Sequence, residues 1–260
     1  MSTQIHPTAI VAKDAKLGEN VKIGAFSIIE SDVEIGDNTE IQSSVKIADG
    51  ARIGRDCRFF SHAVIATEPQ DLKYANEKTY VIIGDNTTVR EFATINRATD
   101  ATYKTEVGSN CLVMTYAHIA HDCKVGNNVR ITNSVQMAGH VEIDDFAIIS
   151  GAAAIHQFCK VGSYAMVGAA VKIVKDVPPY SMVGENPAKV DGLNKIGLRR
   201  NGFSNEVIKQ IEEFYHLLFR SGFNTSDGVA EYKRRFANIP QEIQLCIDFI
   251  EKSDRGIYRM

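Results

Sequence analysis

The 260-residue sequence predicts a mainly β fold: a parallel β-helix of hexapeptide repeats, followed by a small α-helical C-terminal domain. Three observations carry this. The first is a six-residue ruler. Stepping by six from Ile5 to Ile173, 24 of 29 positions are Ile, Leu or Val. The second is a column of small or β-branched residues two places before each ruler position, as in Ala15, Val21, Ser27, Val33 and Thr39. The third is turn chemistry just after it. Glycine recurs one place later (Gly18, Gly24, Gly36, Gly54), and Asn or Asp three places later (Asn20, Asn38, Asp56, Asn86, Asn110, Asn128). These residue types tolerate the left-handed backbone of a sharp corner. A six-residue period keeps no single face of a 3.6-residue helix. Short strands joined by corners do satisfy it. Three hexapeptides make a coil of ~18 residues, and coils stack at the ~4.8 Å strand spacing with the ruler residues inside. Periodicity does not set the hand of the coil, although parallel crossovers are normally right-handed.

Along the chain, the ruler runs unbroken from Ile5 to Ile65. Residues 66–82 and 96–106 leave it, and Asp71, Glu77 and Ala101 stand at the ruler positions there. It resumes in register after each. Insertions of this kind project from one side of a solenoid, where ligands are commonly held. The first contains Pro69-Gln70-Asp71-Leu72-Lys73-Tyr74, groups able to grip a ligand, with a solvated loop as the other reading. The repeat ends at Asp176-Val177-Pro178-Pro179-Tyr180. The expected division is 1–191 for the β-helix and 192–260 for the helical domain. There the spacing of Val207, Ile208, Ile211, Phe214, Tyr215, Leu218 and Phe219 predicts a helix. Ser204 would be its N-cap, and Gly222 lies just past its end. Shorter helices are expected over 227–237 and 241–253.

Composition excludes several classes. A formal net charge of −3, from 29 basic and 32 acidic residues, does not suit a chain that coats nucleic acid. No apolar run approaches the ~20 residues of a membrane span. The stretch from Met1 to Lys13 lacks the pattern of a signal peptide. Five cysteines without a CxxC pair argue against a disulfide framework or zinc finger and for a reducing cytoplasm. Cys57, Cys111, Cys123 and Cys159 all fall in the small-residue column, as buried packing residues do. Residues 192–260 carry 11 Lys/Arg against 9 Asp/Glu, with basic clusters at Arg199-Arg200 and Lys233-Arg234-Arg235.

Chemistry concentrates in the histidines. His118, His121, His140 and His156 crowd into one stretch, none of them on the ruler. On an ~18-residue coil His121, His140 and His156 fall near one edge on successive coils. An outward row of imidazoles beside Asp122 suits general-base catalysis, because histidine titrates near neutral pH. A structural role and a zinc site, as in the hexapeptide-repeat carbonic anhydrases, are the competing readings. A non-catalytic solenoid scaffold is the rival from another class, and it gives no reason for the row. No GxSxG, P-loop or GxGxxG motif is present.

The phrases His118-Ile119-Ala120-His121-Asp122-Cys123, Ala138-Gly139-His140, His156-Gln157-Phe158 and Pro69-Gln70-Asp71-Leu72-Lys73-Tyr74 carry a resemblance over essentially the whole chain. The tail segment Gly197-Leu198-Arg199-Arg200-Asn201-Gly202-Phe203-Ser204 extends it. The chain resembles the acyl-carrier-protein–UDP-N-acetylglucosamine O-acyltransferases of lipid A biosynthesis. The resemblance implies a left-handed β-helix, a homotrimer with sites in clefts between subunits, no cofactor and a cytoplasmic location. It implies transfer of an (R)-3-hydroxyacyl chain from acyl carrier protein to the glucosamine 3-hydroxyl of UDP-N-acetylglucosamine. His121 aligns with the family's base, with Asp122 beside it, and Gly139 with its oxyanion-binding N–H. Substrate contacts carry over to Gln70, Asp71, Lys73, His118, His140, His156, Gln157, Asn194 and Arg200. Ala169 matches a position, a coil beyond the catalytic residue, that limits acyl length. Asn96, Ile196 and Asn201 depart from the family pattern (His, an acidic residue and a second Arg), which leaves open whether the acceptor is strictly the N-acetyl sugar. The related N-acyltransferase usually carries a further N-terminal domain. The ruler begins at Ile5, so none is expected here.

Overall fold

The computed structural model describes residues 3–259. It is a left-handed parallel β-helix with a helical C-terminal region. Strands, mostly two residues long, stack into three sheets of eleven, nine and eight strands. The sheets are the faces of a three-sided prism. The first face begins with Gln4–Ile5, the second with Ile10–Val11 and the third with Lys16–Leu17. Plain coils step by 18 residues, as when Arg130 pairs with Ile148. Arg58 pairs instead with Thr88, a step of 30, and Thr88 with Leu112, a step of 24. Both excess lengths are multiples of six, which is why the ruler survives its two interruptions.

Ruler residues point inward. From Ile23 onward they are buried outside the two insertions, as in Ile47, Ile65, Ile95, Ile119 and Ile155. Ile5 is 46% exposed because no coil covers the N-terminal end. The small-residue column points inward too. Cys57, Cys111, Cys123 and Cys159 are buried free thiols. Burial pushes the Cys57 and Cys111 thiols up to about 11 and Cys123 up to about 12, so these groups are inert packing atoms.

Two corner expectations need correction. The glycine column does not adopt a left-handed backbone: Gly36 and Gly54 are absent from the positive-φ positions. Glycine stands there because the next coil is too close. A Cβ on Gly36 would lie 2.6 Å from Gly54 C and 2.7 Å from Arg55 N. The left-handed residue is the one three after the ruler, and Asn or Asp fills only some corners. Phe92 (φ 59°), Tyr116 (φ 62°), His140 (φ 60°) and Phe158 (φ 62°) adopt it as well. Such a backbone costs about 1 kcal/mol or more in a bulky residue. Stacking along the edge offsets it. Phe92 lies 5.0 Å from Tyr116 and His140 lies 4.5 Å from Phe158, ring centre to ring centre, contacts that contribute about 0.5–1.5 kcal/mol each.

Beyond the last coil, Ser181–Gly184 continues the first face and Lys189–Leu193 pairs with it antiparallel. Four helices follow: α1 (Lys195–Arg200), α2 (Asn205–Arg220), α3 (Thr225–Arg235) and α4 (Gln241–Glu251). Ser204 caps α2 as its position predicts, accepting from Val207 N. The short α1 is not visible in the spacing of apolar residues, since it buries only Leu198 and is held by an Asn194 cap. The helices share a second core around Ile211, Phe214, Tyr215 and Ile247. No helix among the described residues is long and apolar enough to cross a membrane.

Candidate active site

Each coil turns three corners, and the corner between the second and third faces gathers the chemistry. Both insertions leave the prism there, between Val64–Thr67 and Tyr80–Ile83 and between Thr94–Asn96 and Lys104–Val107. One coil later the same corner carries His121 and Asp122, and one coil beyond that Gly139 and His140.

His121 Nδ1 lies 2.7 Å from Asp122 Oδ2. Asp122 is left-handed (φ 59°), which turns its side chain back along the edge toward the preceding histidine. Its side chain is sealed from solvent at 0% exposure, while His121 keeps 13% and His140 21%. Burial alone would raise the Asp122 carboxyl. Hydrogen bonds from His121, Thr102 and Thr99 outweigh it and hold the group well below the usual carboxylate range. An ionised carboxylate only accepts, so the His121 proton sits on Nδ1 and Nε2 is left as a free acceptor.

His140 sets its ring edge-on to His121 at 5.3 Å, with Nε2 3.9 Å from Asp122 Oδ2. Burial lowers the His140 imidazole, against the pull of the Asp122 and Asp71 carboxylates. His118 hydrogen-bonds Thr94 Oγ1 through Nδ1 at 2.7 Å, and burial lowers it too. Both therefore favour the neutral form at pH 7.

Gly139 explains the space. A Cβ there would lie 2.5 Å from His121 Cε1 and 2.7 Å from Nε2. The absence of a side chain lets the His121 ring lie against the next coil. The amide matters as well. On the corner between the third and first faces, several N–H groups two places after the ruler, those of Glu19, Arg55, Ser109 and Asn127, are taken by a side-chain oxygen one coil on. Glu19 N donates to Asp37 Oδ1 at 2.7 Å and Asn127 N to Asp145 Oδ1 at 2.6 Å. Gly139 N–H, two places after its own ruler residue at the corner between the second and third faces, has no partner among the described residues. It is an open donor of a kind that binds anionic oxygen elsewhere in this molecule.

The other expected residues are spread more widely. Gln70, Asp71 and Lys73 lie on the first insertion, where Asp71 Oδ1 accepts from Lys73 N. His156 is exposed, its Nδ1 3.2 Å from Gln157 O, and takes no part in the His121–Asp122–His140 cluster. His156 lies near the same edge, as its spacing predicts, but it sits one place after the ruler, and of the three only His121 and His140 join the cluster. Asn194 and Arg200 belong to a different edge: Asn194 Nδ2 donates to Tyr164 O at the corner between the third and first faces. Ala169 is exposed between the first and second faces, more than two coils past His121 rather than one. Of the departures, Asn96 is buried against Thr67 Oγ1, Ile196 is exposed, and Asn201 caps α1 at Gly197 O. Lys233, Arg234 and Arg235 are engaged with Glu251 and Glu231, whereas Arg199 and Arg200 form no ion pair among the described residues. Thr94, Thr99 and Thr102 were not singled out by sequence. Their only signal is that two of them lie within an insertion.

His121, Asp122 and His140 place one potential ligand atom each within 4.8 Å of one another. The donor set does not suit a zinc ion. The Asp122 carboxylate already receives Thr99 N, Thr99 Oγ1, Thr102 Oγ1 and His121 Nδ1, and a metal would have to displace them. A groove of about 630 Å³ lies between the third face and α4.

Two family models match the chain. One is the second domain of UDP-N-acetylglucosamine O-acyltransferase, over residues 176–258, and the other the bacterial transferase hexapeptide, over residues 104–139. The chain is 43% identical over 258 residues to the acyl-carrier-protein–UDP-N-acetylglucosamine O-acyltransferase of Stenotrophomonas maltophilia strain K279a, covering 98% of each chain. It is 42% identical to that of Burkholderia orbicola, over 99% of this chain and all of the relative. Among solved structures, the UDP-N-acetylglucosamine acyltransferase of Bacteroides fragilis superposes with a TM-score of 0.95 at 44% identity, over 98% of this chain and 100% of that one. The corresponding protein of Acinetobacter baumannii gives 0.95 at 41%, over 98% and 99%.

Proposed function

The chain belongs to the acyl-carrier-protein–UDP-N-acetylglucosamine O-acyltransferase family, and from that premise we propose that His121 is the base that drives its reaction. The activity is transfer of an (R)-3-hydroxyacyl chain from acyl carrier protein to the glucosamine 3-hydroxyl of UDP-N-acetylglucosamine, the first step of lipid A biosynthesis. The observation that carries the residue assignment is the His121–Asp122 pair packed on a side-chain-free Gly139.

A sugar hydroxyl is a poor nucleophile at neutral pH. His121 Nε2 takes its proton as the oxygen attacks the thioester carbonyl, and Asp122 stabilises the imidazolium that forms. The carbonyl oxygen becomes an oxyanion and meets the open Gly139 N–H. The tetrahedral intermediate then collapses, the C–S bond breaks, and the proton passes from His121 to the departing thiolate of the carrier. Neutral His118 and His140 line the approach as hydrogen-bonding groups. Gln70, Asp71 and Lys73 hold the sugar nucleotide from the first insertion, and His156 and Gln157 lie one coil further along.

The second part of the reading is a homotrimer of about 86 kDa, three chains of 28.7 kDa. One chain places His121 on one edge, and Asn194, Arg200 and Ala169 on other edges. These sets meet only if a neighbouring subunit supplies the second. Arg200, without an ion pair among the described residues, then faces the diphosphate, and Arg199 the acidic acyl carrier protein. Ala169 of a neighbour limits the acyl tail. Each buried methylene contributes roughly 0.8 kcal/mol, so a fitted groove selects several-fold per carbon.

The deciding experiment is mass spectrometry of products formed from UDP-N-acetylglucosamine and a panel of acyl carrier protein thioesters of different length. A 3-O-hydroxyacylated sugar nucleotide is expected. Ala169→Met is expected to shift the distribution to shorter chains, and an unchanged distribution places the ruler elsewhere. Light scattering checks the trimer, and a fully active monomer refutes the shared site.

A further inference from the structure

We propose that the second insertion is a clamp for the catalytic dyad, with Thr99 and Thr102 as positioning residues that hold Asp122 against His121. This rests on the assignment of His121 as the base.

The insertion adds one hexapeptide to its coil, and most of that hexapeptide is exposed. Asp100, Ala101, Thr102 and Tyr103 face solvent. Its buried polar contacts converge on one group. Thr99 Oγ1 donates to Asp122 Oδ2 at 2.8 Å, Thr99 N lies 3.2 Å from the same oxygen, and Thr102 Oγ1 donates to Oδ1. From the neighbouring strand, Thr105 Oγ1 accepts the Asp122 N–H at 2.9 Å. With His121 these bonds fill the carboxylate's acceptor sites and exclude water from it. His140, the corner residue one coil later, has no such cover and keeps 21% exposure. The lid is therefore built where the carboxylate is, and is not a general feature of the corner.

The chemistry requires this. An Asp122 free to rotate would offer His121 a choice of oxygens and orientations, and Nε2 would wander from the substrate hydroxyl. A misplacement of about 1 Å at a reacting atom costs on the order of 10²-fold. The clamp fixes both oxygens, hence the imidazole plane. It is also tied to the substrate loop. The Glu77 carboxylate accepts from Ala75 N at 2.7 Å on the first insertion and from Asp100 N at 3.2 Å on the second. Arg97, just before the clamp, donates to Tyr74 Oη at 2.8 Å. The loop bearing Gln70, Asp71 and Lys73 and the loop holding Asp122 thus brace each other.

The test compares Thr99→Val, Thr102→Val and the double variant with Thr99→Ser and Thr102→Ser. A lost hydrogen bond to a charged group predicts a fall in kcat of about tenfold for each Val variant and about a hundredfold for the pair. KM for UDP-N-acetylglucosamine is expected to stay within about threefold, and the Ser variants to retain wild-type kcat. The downfield proton resonance of His121 Nδ1–H is expected to broaden or shift in the Val variants only. Thr102 is exposed, so Thr102→Val and its Ser partner decide the matter even where the double variant fails to fold. Wild-type kcat in folded Thr102→Val, beside an inactive His121→Ala, overturns the clamp. Loss confined to KM also overturns it. An active His121→Ala instead overturns the base assignment and leaves the geometry of the loop untouched.

Discussion

Two corners of the same prism share a backbone and differ in what their side chains leave open. At the corner between the third and first faces, Asn20, Asn38, Asp56, Asn86, Asn110 and Asn128 occupy successive left-handed positions. Several of the adjacent amides are closed by the next coil, as Glu19 N is by Asp37 and Asn127 N by Asp145. At the corner between the second and third faces, Asp122, His140 and Phe158 hold the same left-handed positions. There Gly139 has no side chain, and the His121 ring lies in the space that a Cβ would need. The comparison teaches that the repeat supplies an ordered row of outward amides by default. The site stands where an open amide, a glycine without a side chain and an imidazole packed against it coincide.

The sharpest way to break this comparison is to remove the imidazole. His121→Ala is expected to lower kcat by two to four orders of magnitude, about the range of general-base catalysis, with an unchanged circular dichroism spectrum. Activity within a few-fold of wild type would return the two corners to equivalence. Next comes the glycine. Gly139→Ala puts a methyl group 2.5–3.1 Å from the His121 ring, so the ring must move and kcat is expected to fall about a hundredfold. Gly151→Ala is the control two places after a ruler residue on the third edge, where the nearest atom is 3.4 Å away. It is expected to leave steady-state kinetics unaltered.

A smaller effect concerns the buried carboxylate. The Asp122 carboxyl is held below its ordinary value in the folded chain, although burial opposes this. The folded state therefore favours the ionised form. Its contribution to stability is complete above the unfolded value of ~3.9 and is lost as pH falls below it. Asp122→Asn is expected to cost about 2–3 kcal/mol at pH 7, the magnitude of hydrogen bonds to a charged group. The gap between the two urea midpoints should stay constant above about pH 5 and narrow below about pH 4. Least of all, Asp37→Ala opens an amide on the plain corner. It is expected to cost about 1 kcal/mol in urea unfolding and nothing in turnover. A loss of activity there would show that the plain corner also serves the reaction.

Much of this was legible in the residues. The ruler places Ile23 through Ile173 inside, and the small-residue column correctly buries the cysteines. The adjacency of His121 and Asp122 is a matter of sequence, and Ser204 marks the start of α2. The roles given to Gly139 and Ala169 came from family resemblance, not from spacing. What spacing misread is informative. His156 does lie near the predicted edge, but spacing alone did not tell that it stays out of the His121–Asp122–His140 cluster. The glycine column was read as turn-forming, when its cause is contact with the next coil's backbone. The Thr99–Thr102 contact was invisible because an insertion has no period from which to read its path.

By itself, then, the sequence determined the coil, its length and which residues face inward. Those follow from a one-dimensional pattern, because every coil repeats the same environment and each position sees its equivalents one coil away. The tertiary structure decided which outward groups meet. Asp122 is bonded to Thr99 and Thr102 because six extra residues fold back over one corner. Gly139 lies under the His121 ring because two adjacent coils stack in register. Asn194 stands apart from His121 because the chain turns another corner before it. Contacts of that kind depend on where loops travel and which rotamers the stacked coils allow, and neither is encoded in a six-residue period.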